Sequence, residues 1–402
     1  MKQGWEIKKL PDVVWFQEGP GVRKHQYTTS GVKLLNVANL VNGKVDLSTS
    51  DRYVSEEEAY GKYKHFLADE GDLILASSGI QVEYIEKKMG FIHKEHLPLC
   101  MNTSTIRFKP VDKECLNIRY FMYFLKSYNF KAQLYRLITG IAQLNFGPLH
   151  LKQMNIPVPP REEQERIVEE LDCLSGVIEK KREQLKELDA LAQSIFYQMF
   201  GDPITNEKGW EVKCLRDIST IGTGATPSRE KEELYYGGEI HWVKTTEVQN
   251  CDIHSTEETI TQLAVEQTNC KVYPQNTLLM AMYGQGKTRG QIARLKISAA
   301  TNQACAAIML DEARCILDFI YELLLIKYEN IRAMAKGGNQ ANLNLKIVGS
   351  IPIILPPLAL QQEFVDKIEA IEKQKELIKQ SISKTEELFN SRMDYYFNRY
   401  AE

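Results

Sequence analysis

The chain has 402 residues, which is more than one hydrophobic core usually organises, so at least two folded domains are expected. Hydrophobic residues make up 43% and charged residues 26%, which excludes a disordered chain. No run approaches eighteen consecutive apolar residues and the N-terminus lacks the pattern of a secretory signal, so a cytoplasmic protein without a membrane segment is predicted. The eight cysteines are scattered without a C-x-x-C pair, which predicts reduced thiols, mostly in the core.

Charge is distributed unevenly along the chain. The formal net charge of −3 argues against DNA binding, because contacts with phosphates need Lys and Arg side chains. Residues 1–160 nevertheless hold 21 basic and 16 acidic residues, whereas residues 161–200 hold 6 basic and 10 acidic ones. Any nucleic-acid surface is therefore expected to be local, and another subunit is expected to supply part of the phosphate contact.

The second half of the sequence restates the first at an offset of about 200 residues. The segment Gly4-Trp5-Glu6 returns as Gly209-Trp210-Glu211. The ends of the two halves match at a constant offset of 197, pairing Gly140, Gln143, Asn145, Pro159, Pro160 and Gln164 with Gly337, Gln340, Asn342, Pro356, Pro357 and Gln361. This constant register indicates a tandem duplication.

A long helix is predicted after each Pro-Pro pair, because proline is tolerated in the first helical turn. Each helix spans about 38 residues, or roughly 57 Å. Apolar residues recur at alternating spacings of four and three, which is typical of a coiled-coil seam. The predicted inter-helix packing residues are Ile167, Leu171, Leu174, Ile178, Leu185, Leu188 and Ile195 in the first helix, and Phe364, Ile368, Ile371, Ile378, Ile382 and Phe389 in the second.

The segment before each long helix has a mixed pattern. Short apolar or alternating runs at 73–75, 104–108, 240–243 and 277–280 predict strands. One helical stretch follows in each half, near 115–138 and 314–335. The predicted fold class is therefore α/β, with mixed domains at 1–157 and 201–354 and long helices within 158–200 and 355–402.

Residues 277–297 are predicted to form a β-hairpin with a glycine-rich, cationic tip. The segment from Ala281 to Thr288 resembles a relaxed phosphate-binding loop in which alanine replaces the first glycine. A true phosphate-binding loop opens a helix, but Gly290 stands where that helix would start, and the residues after it alternate as in a strand. The hairpin is therefore favoured over a nucleotide site.

The tip of this hairpin and the equivalent tip of the first half are candidate DNA contacts. Amide and cationic side chains can hydrogen-bond base edges or phosphates, and glycines let the backbone approach a groove closely. A solvated loop without a binding role is an equally good interpretation of these segments. The candidate DNA-binding residues are Ser77, Ser78, Gln81, Lys244, Gln285, Lys287 and Arg289.

Amide residues recur in both halves and invite two interpretations. Asn102 corresponds to Asn302, and the pair Gln143 and Asn145 corresponds to the pair Gln340 and Asn342. Amides can read adenine in the major groove. Because both halves share them, a role in fixing loop geometry is the preferred interpretation.

Catalytic signatures are missing from the sequence. Neither Pro-Pro pair has the preceding Asp or Asn and the following aromatic residue that amino-methyltransferases use to grip a base, and no G-x-G-x-x-G follows a strand. The segment His93-Lys94-Glu95-His96 lacks the spacing of a zinc site, and Pro11-Asp12 lacks acidic partners for a nuclease site. The chain is expected not to be an enzyme and to bind no metal or cofactor itself.

The order of these parts resembles the specificity (S) subunits of type I restriction–modification enzymes. The resemblance covers nearly the whole chain: mixed domain, Pro-Pro, long helix, then the same again. It depends also on three sequence motifs. These are the segment from Ile156 to Ile167, the segment Thr301-Asn302-Gln303-Ala304, and the segment Asn342-Leu343-Asn344-Leu345 that precedes the second Pro-Pro pair.

The resemblance implies two target-recognition domains separated by two long antiparallel coiled-coil helices, a tandem repeat with pseudo-twofold symmetry. Each domain would read one half of a bipartite site in double-stranded DNA, and the helices would set the spacer. The S subunit of this family docks two modification (methyltransferase) subunits, which bind S-adenosylmethionine, and recruits restriction subunits that use ATP and Mg²⁺. These cofactors would belong to the partner subunits.

Two other functions compete with this interpretation. A non-DNA scaffold, with a coiled coil and two protein-binding domains, is favoured by the net acidity and opposed by the motif phrases. A nucleotide hydrolase would depend on the loop around Lys287, for which no helix is expected. A steep dependence of DNA binding on salt would exclude the scaffold.

Overall fold

The computed structural model describes residues 4–138, 144–284, 286–335 and 342–398. Two compact units divide the chain: Met1–Arg182 with Gln380–Glu402, and Glu183–Lys379. Each unit thus combines one mixed domain with a part of each long helix. Gly140, Gln143, Gln285, Gly337 and Gln340 lie outside the described residues.

The first unit alternates short strands with short helices before the long helix begins. Its strands are β1 Glu6–Lys9, β2 Val14–Glu18, β3 Val32–Leu35, β4 Leu40–Val41, β5 Lys44–Val45, β6 Tyr53–Val54, β7 Leu73–Ala76, β8 Ser78–Ile80, β9 Met89–Phe91, β10 Leu99–Met101, β11 Thr105–Pro110, β12 Leu144–Asn145 and β13 Asn155–Val158. Its helices are α1 Leu10–Val13, α2 Glu56–Tyr60, α3 Ile118–Lys126, α4 Tyr128–Leu137, α5 Pro148–Leu151 and the long helix α6 Arg161–Phe200, which continues into the second unit.

The second unit repeats this order. Its strands are β14 Glu211–Cys214, β15 Ser219–Thr223, β16 Tyr236–Val243, β17 Cys251–Ile253, β18 Glu258–Ile260, β19 Val272–Tyr273, β20 Leu278–Ala281, β21 Ile292–Leu295, β22 Ala299–Thr301, β23 Cys305–Leu310 and β24 Pro352–Leu355. Its helices are α7 Glu232–Tyr235, α8 Gln262–Gln267, α9 Leu317–Ile326, α10 Tyr328–Ala333, α11 Leu345–Gly349 and the long helix α12 Leu358–Phe397, whose end belongs to the first unit.

Equivalent sheets occur in the two units. The sheet β2-β11-β7-β9 of the first unit corresponds to β15-β23-β20-β21-β17 of the second, which adds one strand. The smaller sheet β10-β3-β6 corresponds to β18-β16-β22-β19, and each contains one parallel pair, β10 with β3 and β16 with β22. The predicted α/β fold class and tandem repeat are confirmed.

Both long helices are 40 residues long and begin directly after the Pro-Pro pairs, as predicted. The first ends at Phe200, where Gly201 has a φ of +74° and donates its N–H to the carbonyl of Tyr197 at 2.8 Å. This is the glycine stop expected from the sequence.

In the first unit, the beginning of α6 packs antiparallel to the end of α12. Arg392 donates to both carboxylate oxygens of Glu170, through Nη2 at 2.9 Å, and the hydroxyl of Tyr396 lies 2.5 Å from the same carboxylate. These hydrogen bonds hold the pKa of Glu170 below its ordinary value, and the bond from Arg392 has the largest effect. Among the predicted packing residues, those buried or partly buried here are Ile167, Leu171, Leu174, Ile178, Ile382 and Phe389.

In the second unit, the end of α6 packs antiparallel to the beginning of α12. Phe364 lies among Phe196, Phe200 and Phe319, with ring centroids 5.5, 5.5 and 6.1 Å away. The remaining predicted packing residues are buried or partly buried here, and they are Leu185, Leu188, Ile195, Ile368, Ile371 and Ile378.

A buried glutamine ties each long helix to its mixed domain. Gln164 accepts the backbone N–H of Asn117 at 2.8 Å and donates to the carbonyls of Cys115 and Pro159, each at 2.8 Å. Gln361 accepts from the N–H of Ile316 at 2.9 Å and donates to the carbonyl of Pro356 at 2.8 Å. The glutamine repeated after each Pro-Pro pair therefore has the same structural role in both units.

Candidate functional site

The predicted hairpin of the second unit is confirmed. Strands β20 and β21 pair antiparallel, with Leu278 opposite Arg294 and Met280 opposite Ile292. The connecting segment 282–291, called the second tip below, leads into a strand rather than a helix. The helix that a phosphate-binding loop requires is therefore not formed, and the nucleotide-site interpretation is wrong.

Helix α10 holds the second tip by its backbone. The hydroxyl of Tyr328 donates to the carbonyl of Lys287. The guanidinium of Arg332 donates to the carbonyl of Arg289 at 3.1 Å and to that of Gly286 at 2.8 Å. The side chain of Lys287 is exposed and that of Arg289 is partly buried.

The first tip, residues 77–88, occupies the equivalent place between β7 and β9. Strand β7 pairs antiparallel with β9, with Leu73 opposite Phe91. The hydroxyl of Ser78 donates to Oδ1 of Asn145 at 2.7 Å, and Gln81 is exposed just before a 3-10 helix, Val82–Lys88. Polar atoms of this tip are thus partly engaged with the protein itself.

The structure corrects the role expected for Ser77. Its side chain is only 1% exposed, and its backbone carbonyl accepts the N–H of Phe146 at 3.0 Å. Because the residue is buried, its hydroxyl does not face solvent. Ser77 is therefore a structural residue and is excluded from the interface proposed below.

Lys244 lies outside both tips and is neutralised by carboxylates. Its ammonium is 2.6 Å from the carboxylate of Glu257 and 3.1 Å from that of Glu258. Both hydrogen bonds raise the pKa of Lys244, and the bond to Glu257 has the larger effect. A phosphate would have to compete with two carboxylates for this cation. The structure therefore does not bring Lys244 together with Lys287 and Arg289 as a common cationic cluster.

Sequence reasoning missed an exposed tyrosine–lysine pair at the first tip and an exposed lysine in the hairpin beside it. Tyr84 is 51% exposed, and the ammonium of Lys87 lies 4.5 Å from the centroid of its ring. Lys44 is exposed in the neighbouring hairpin, where the N–H of Gly43 donates to the carbonyl of Lys87 at 3.3 Å. In the sequence, the only signal for this pair is a tyrosine and a lysine three residues apart. That spacing is a weak indication without the contact between the Lys87 ammonium and the Tyr84 ring.

Asn102 and its counterpart Asn302 fix loops, as preferred from the sequence. The amide of Asn102 donates to Oδ1 of Asn36 at 2.9 Å, at the start of the loop after β3. Oδ1 of Asn302 accepts the hydroxyl of Thr245 at 2.9 Å, in the loop after β16. Both loops follow a strand of the smaller sheet, so the two amides have equivalent structural roles.

The described ranges contain neither a metal cluster nor a membrane-crossing helix. Within 4–138, 144–284, 286–335 and 342–398, no group of three or more His, Cys, Asp and Glu residues is arranged to hold a metal ion. No helix within those ranges is both long and apolar enough to cross a membrane.

The eight cysteines are free, and four of them are buried. Burial raises the pKa of Cys100 and of Cys305 to about 12. These two thiols are therefore protonated and unreactive at neutral pH.

The comparison with protein families agrees with this repeated architecture. The family model described as type I restriction modification DNA specificity domain matches the chain twice, over residues 2–190 and 207–387. The type I restriction enzyme MjaIX specificity subunit of Methanocaldococcus jannaschii is 24% identical over 90% of this chain and 85% of its own length. The EcoR124I/EcoR124II specificity subunit of Escherichia coli is 26% identical over 61% of this chain and 62% of its own length.

Solved structures share the fold. A type I restriction–modification S subunit from M. genitalium aligns with a TM-score of 0.55 at 15% identity, covering 98% of this chain and 96% of that one. A chain from a structure on complex assembly of the type I R-M system aligns with a TM-score of 0.62 at 16% identity, covering 98% and 97%.

Two mixed domains, each with a long helix and each matched by the same model, define a DNA specificity protein. The chain belongs to the type I restriction–modification DNA specificity family. Within that family it is a specificity subunit, which is the non-catalytic component, and the scaffold interpretation is not favoured.

Proposed function

We propose that this chain reads a bipartite DNA site, one half with each target-recognition domain, at 1–157 and 201–354. The observation that supports this most directly is the presence of two tips at equivalent places in equivalent sheets, with different side chains. Ser78 and Gln81 stand at the first tip, and Lys287 and Arg289 at the second. Equivalent placement with unlike chemistry suits two unlike half-sites.

The long helices, within 158–200 and 355–402, have a spacing role in this proposal. They set the distance between the half-sites and dock two modification subunits, which carry S-adenosylmethionine, and restriction subunits, which use ATP and Mg²⁺. The site of action is the cytoplasm. The family membership and the two seams support this assignment.

Mapping modified bases across a genome tests the proposal. Cells expressing the modification subunit with this chain are expected to carry a two-part methyladenine motif with a fixed spacer, which is absent without the chain. Exchanging residues 1–157 for those of another specificity subunit is expected to change one half of that motif only. If an active modification subunit produces the same methylation with and without the chain, the recognition role is wrong.

The second tip provides a local test. Lys287→Ala is expected to weaken binding of the assembled complex to the mapped site by about tenfold, because the cation no longer reaches a base or phosphate. Competition binding with a duplex carrying the motif measures this. Lys373→Ala, an exposed lysine on α12, is the matched control and is expected to leave affinity unchanged.

A further inference from the structure

Two helices, α4 and α10, hold the two tips from equivalent positions. Lys131 and Tyr135 on α4 contact the first tip, and Tyr328 and Arg332 on α10 contact the second. Both pairs are four residues apart on one helix face, and corresponding members are 197 residues apart. The repeat therefore retains a holding position although the side chains differ.

At the second tip, Arg332 bridges two turns of the loop. One nitrogen, Nη1, donates to the carbonyl of Arg289 at 3.1 Å and to the hydroxyl of Tyr328 at 2.9 Å, while Nη2 donates to the carbonyl of Gly286 at 2.8 Å. Tyr328 in turn donates to the carbonyl of Lys287. The planar guanidinium suits such a bridge, whereas a lysine offers one ammonium group as a point charge.

The second tip needs such restraint because of its composition. Gly284, Gly286 and Gly290 all have positive φ, at 137°, 62° and 85°. Glycines give an unrestrained loop many alternative conformations, and ordering them costs conformational entropy. The contacts from α10 select one of these conformations before any partner binds.

The first tip is held by different chemistry. The ammonium of Lys131 donates to the carbonyl of Glu83 at 3.1 Å and to a carboxylate oxygen of Glu86 at 3.1 Å. The hydroxyl of Tyr135 donates to the carboxylate of Glu83. Of the two tips, the second is the one whose contacts are made mainly to backbone carbonyls, so there the helix controls the path of the chain itself.

We propose that Arg332, assisted by Tyr328, is a specificity-determining positioning residue for the second half-site. It fixes the backbone from Gly286 to Arg289 so that Lys287 and Arg289 are presented to DNA in one geometry. This inference rests on the proposed function. A preorganised loop discriminates between sequences, whereas a loose one retains its charge but adapts to many sequences.

Arg332→Lys separates position from charge. In base-modification mapping, the half of the motif read by the second domain is expected to become degenerate, while the half read by the first domain stays unchanged. With the purified complex, discrimination between the mapped duplex and one with a scrambled second half-site is expected to fall by about tenfold. The salt dependence of binding is expected to stay the same, because the positive charge is retained.

Arg314→Lys is the matched control. Arg314 also donates to a backbone carbonyl in the second unit, that of Asp217 at 2.9 Å, and it pairs with Asp311, so these contacts lie outside the second tip. Its substitution is expected to leave both halves of the motif unchanged. Tyr328→Phe removes a single hydroxyl and provides a milder second variant, with the same half of the motif expected to relax.

The outcomes distinguish this inference from the proposed function. If the unaltered chain produces no two-part motif, the proposed function fails. If it does, and both halves stay sharp in Arg332→Lys and Tyr328→Phe, the positioning role is wrong. A uniform loss of methylation with an unchanged motif would also overturn it, because that result indicates a general loss of folded protein.

Discussion

Gln361 is fully buried, and its amide satisfies backbone groups at the junction of α12 with the second mixed domain. Gln361→Ala leaves those buried groups without a partner and opens a small cavity. The free energy of unfolding is expected to fall by about 2 to 4 kcal/mol. Urea unfolding measures this, and the adjacent, exposed Gln362→Ala is expected to change it by less than about 0.5 kcal/mol. Equal effects of the two substitutions would contradict the tying role.

Glu322 on α9 is a partly buried acid in the second unit. Burial raises its pKa from the ordinary 4.5 to about 7; the carboxylates of Glu372 and Asp318 also raise it, while Arg294 and Lys375 lower it. The folded state therefore holds the proton of Glu322 more tightly than the unfolded state does. The protonated carboxyl contributes its full stabilisation below about pH 4.5, and this stabilisation is lost as the pH rises through about 7.

Glu322→Gln keeps the shape of the side chain and removes the titration. At pH 8 this variant is expected to be more stable than the unaltered chain by up to about 3 kcal/mol, and its decline in stability between about pH 5 and 7 is expected to be smaller. Denaturant unfolding at several pH values measures both effects. Glu369→Gln, on the exposed side of α12, is the control and is expected to leave the pH profile of stability unchanged. If Glu322→Gln and the unaltered chain had identical profiles, the titration assigned to Glu322 would be wrong.

At the scale of elements, the helix seam depends on a few aromatic contacts. Phe364 is 1% exposed and packs against Phe196, Phe200 and Phe319. Phe364→Ala is expected to destabilise the second unit by about 3 to 5 kcal/mol, because the cavity deprives both long helices of packing. Thermal unfolding measures this effect. Leu377, 60% exposed on the same helix, is the control, and a similar destabilisation in Leu377→Ala would contradict the assigned seam.

The helices and the hairpin were predictable because their signals are local. Alternating spacings of four and three predicted which faces of α6 and α12 are buried, and Gly290 argued against a helix after the second tip. The same approach failed at Ser77, which is buried and whose carbonyl accepts the N–H of Phe146, 69 positions away in the chain. A pattern of neighbouring residues contains no record of such a contact.

At the scale of the whole molecule, some exposed cations lack a carboxylate partner and others are paired. In the first unit, Lys24 and Arg52 are exposed and, within the described part of the chain, have no carboxylate at ion-pair distance. In the second unit, Arg229 lies 2.9 Å from Glu232 and 2.6 Å from Glu258. Free cations are available to phosphates, whereas paired ones must first separate from their partners.

This difference between unpaired and paired cations predicts which of them contribute to the salt dependence of DNA binding. Substituting Lys24→Gln with Arg52→Gln is expected to reduce the slope of log affinity against log salt by about one for each phosphate that is no longer neutralised. Arg229→Gln is expected to leave that slope unchanged, because its charge is already balanced. Binding to a nonspecific duplex at several salt concentrations measures both slopes, and a larger reduction in Arg229→Gln than in the double variant would contradict this prediction.

The sequence by itself determined the duplication, the two long helices with their seams, the position of the second tip and the family. These depend on periodicity, turn residues and matched motifs, all of which are properties of neighbouring or repeated residues. Only the tertiary structure decided that Ser77 is covered, that Lys244 is balanced by Glu257 and Glu258, and that Arg332 holds the second tip. The physical reason is that burial, ion pairing and loop restraint arise from contacts between residues far apart in the chain, which folding brings together.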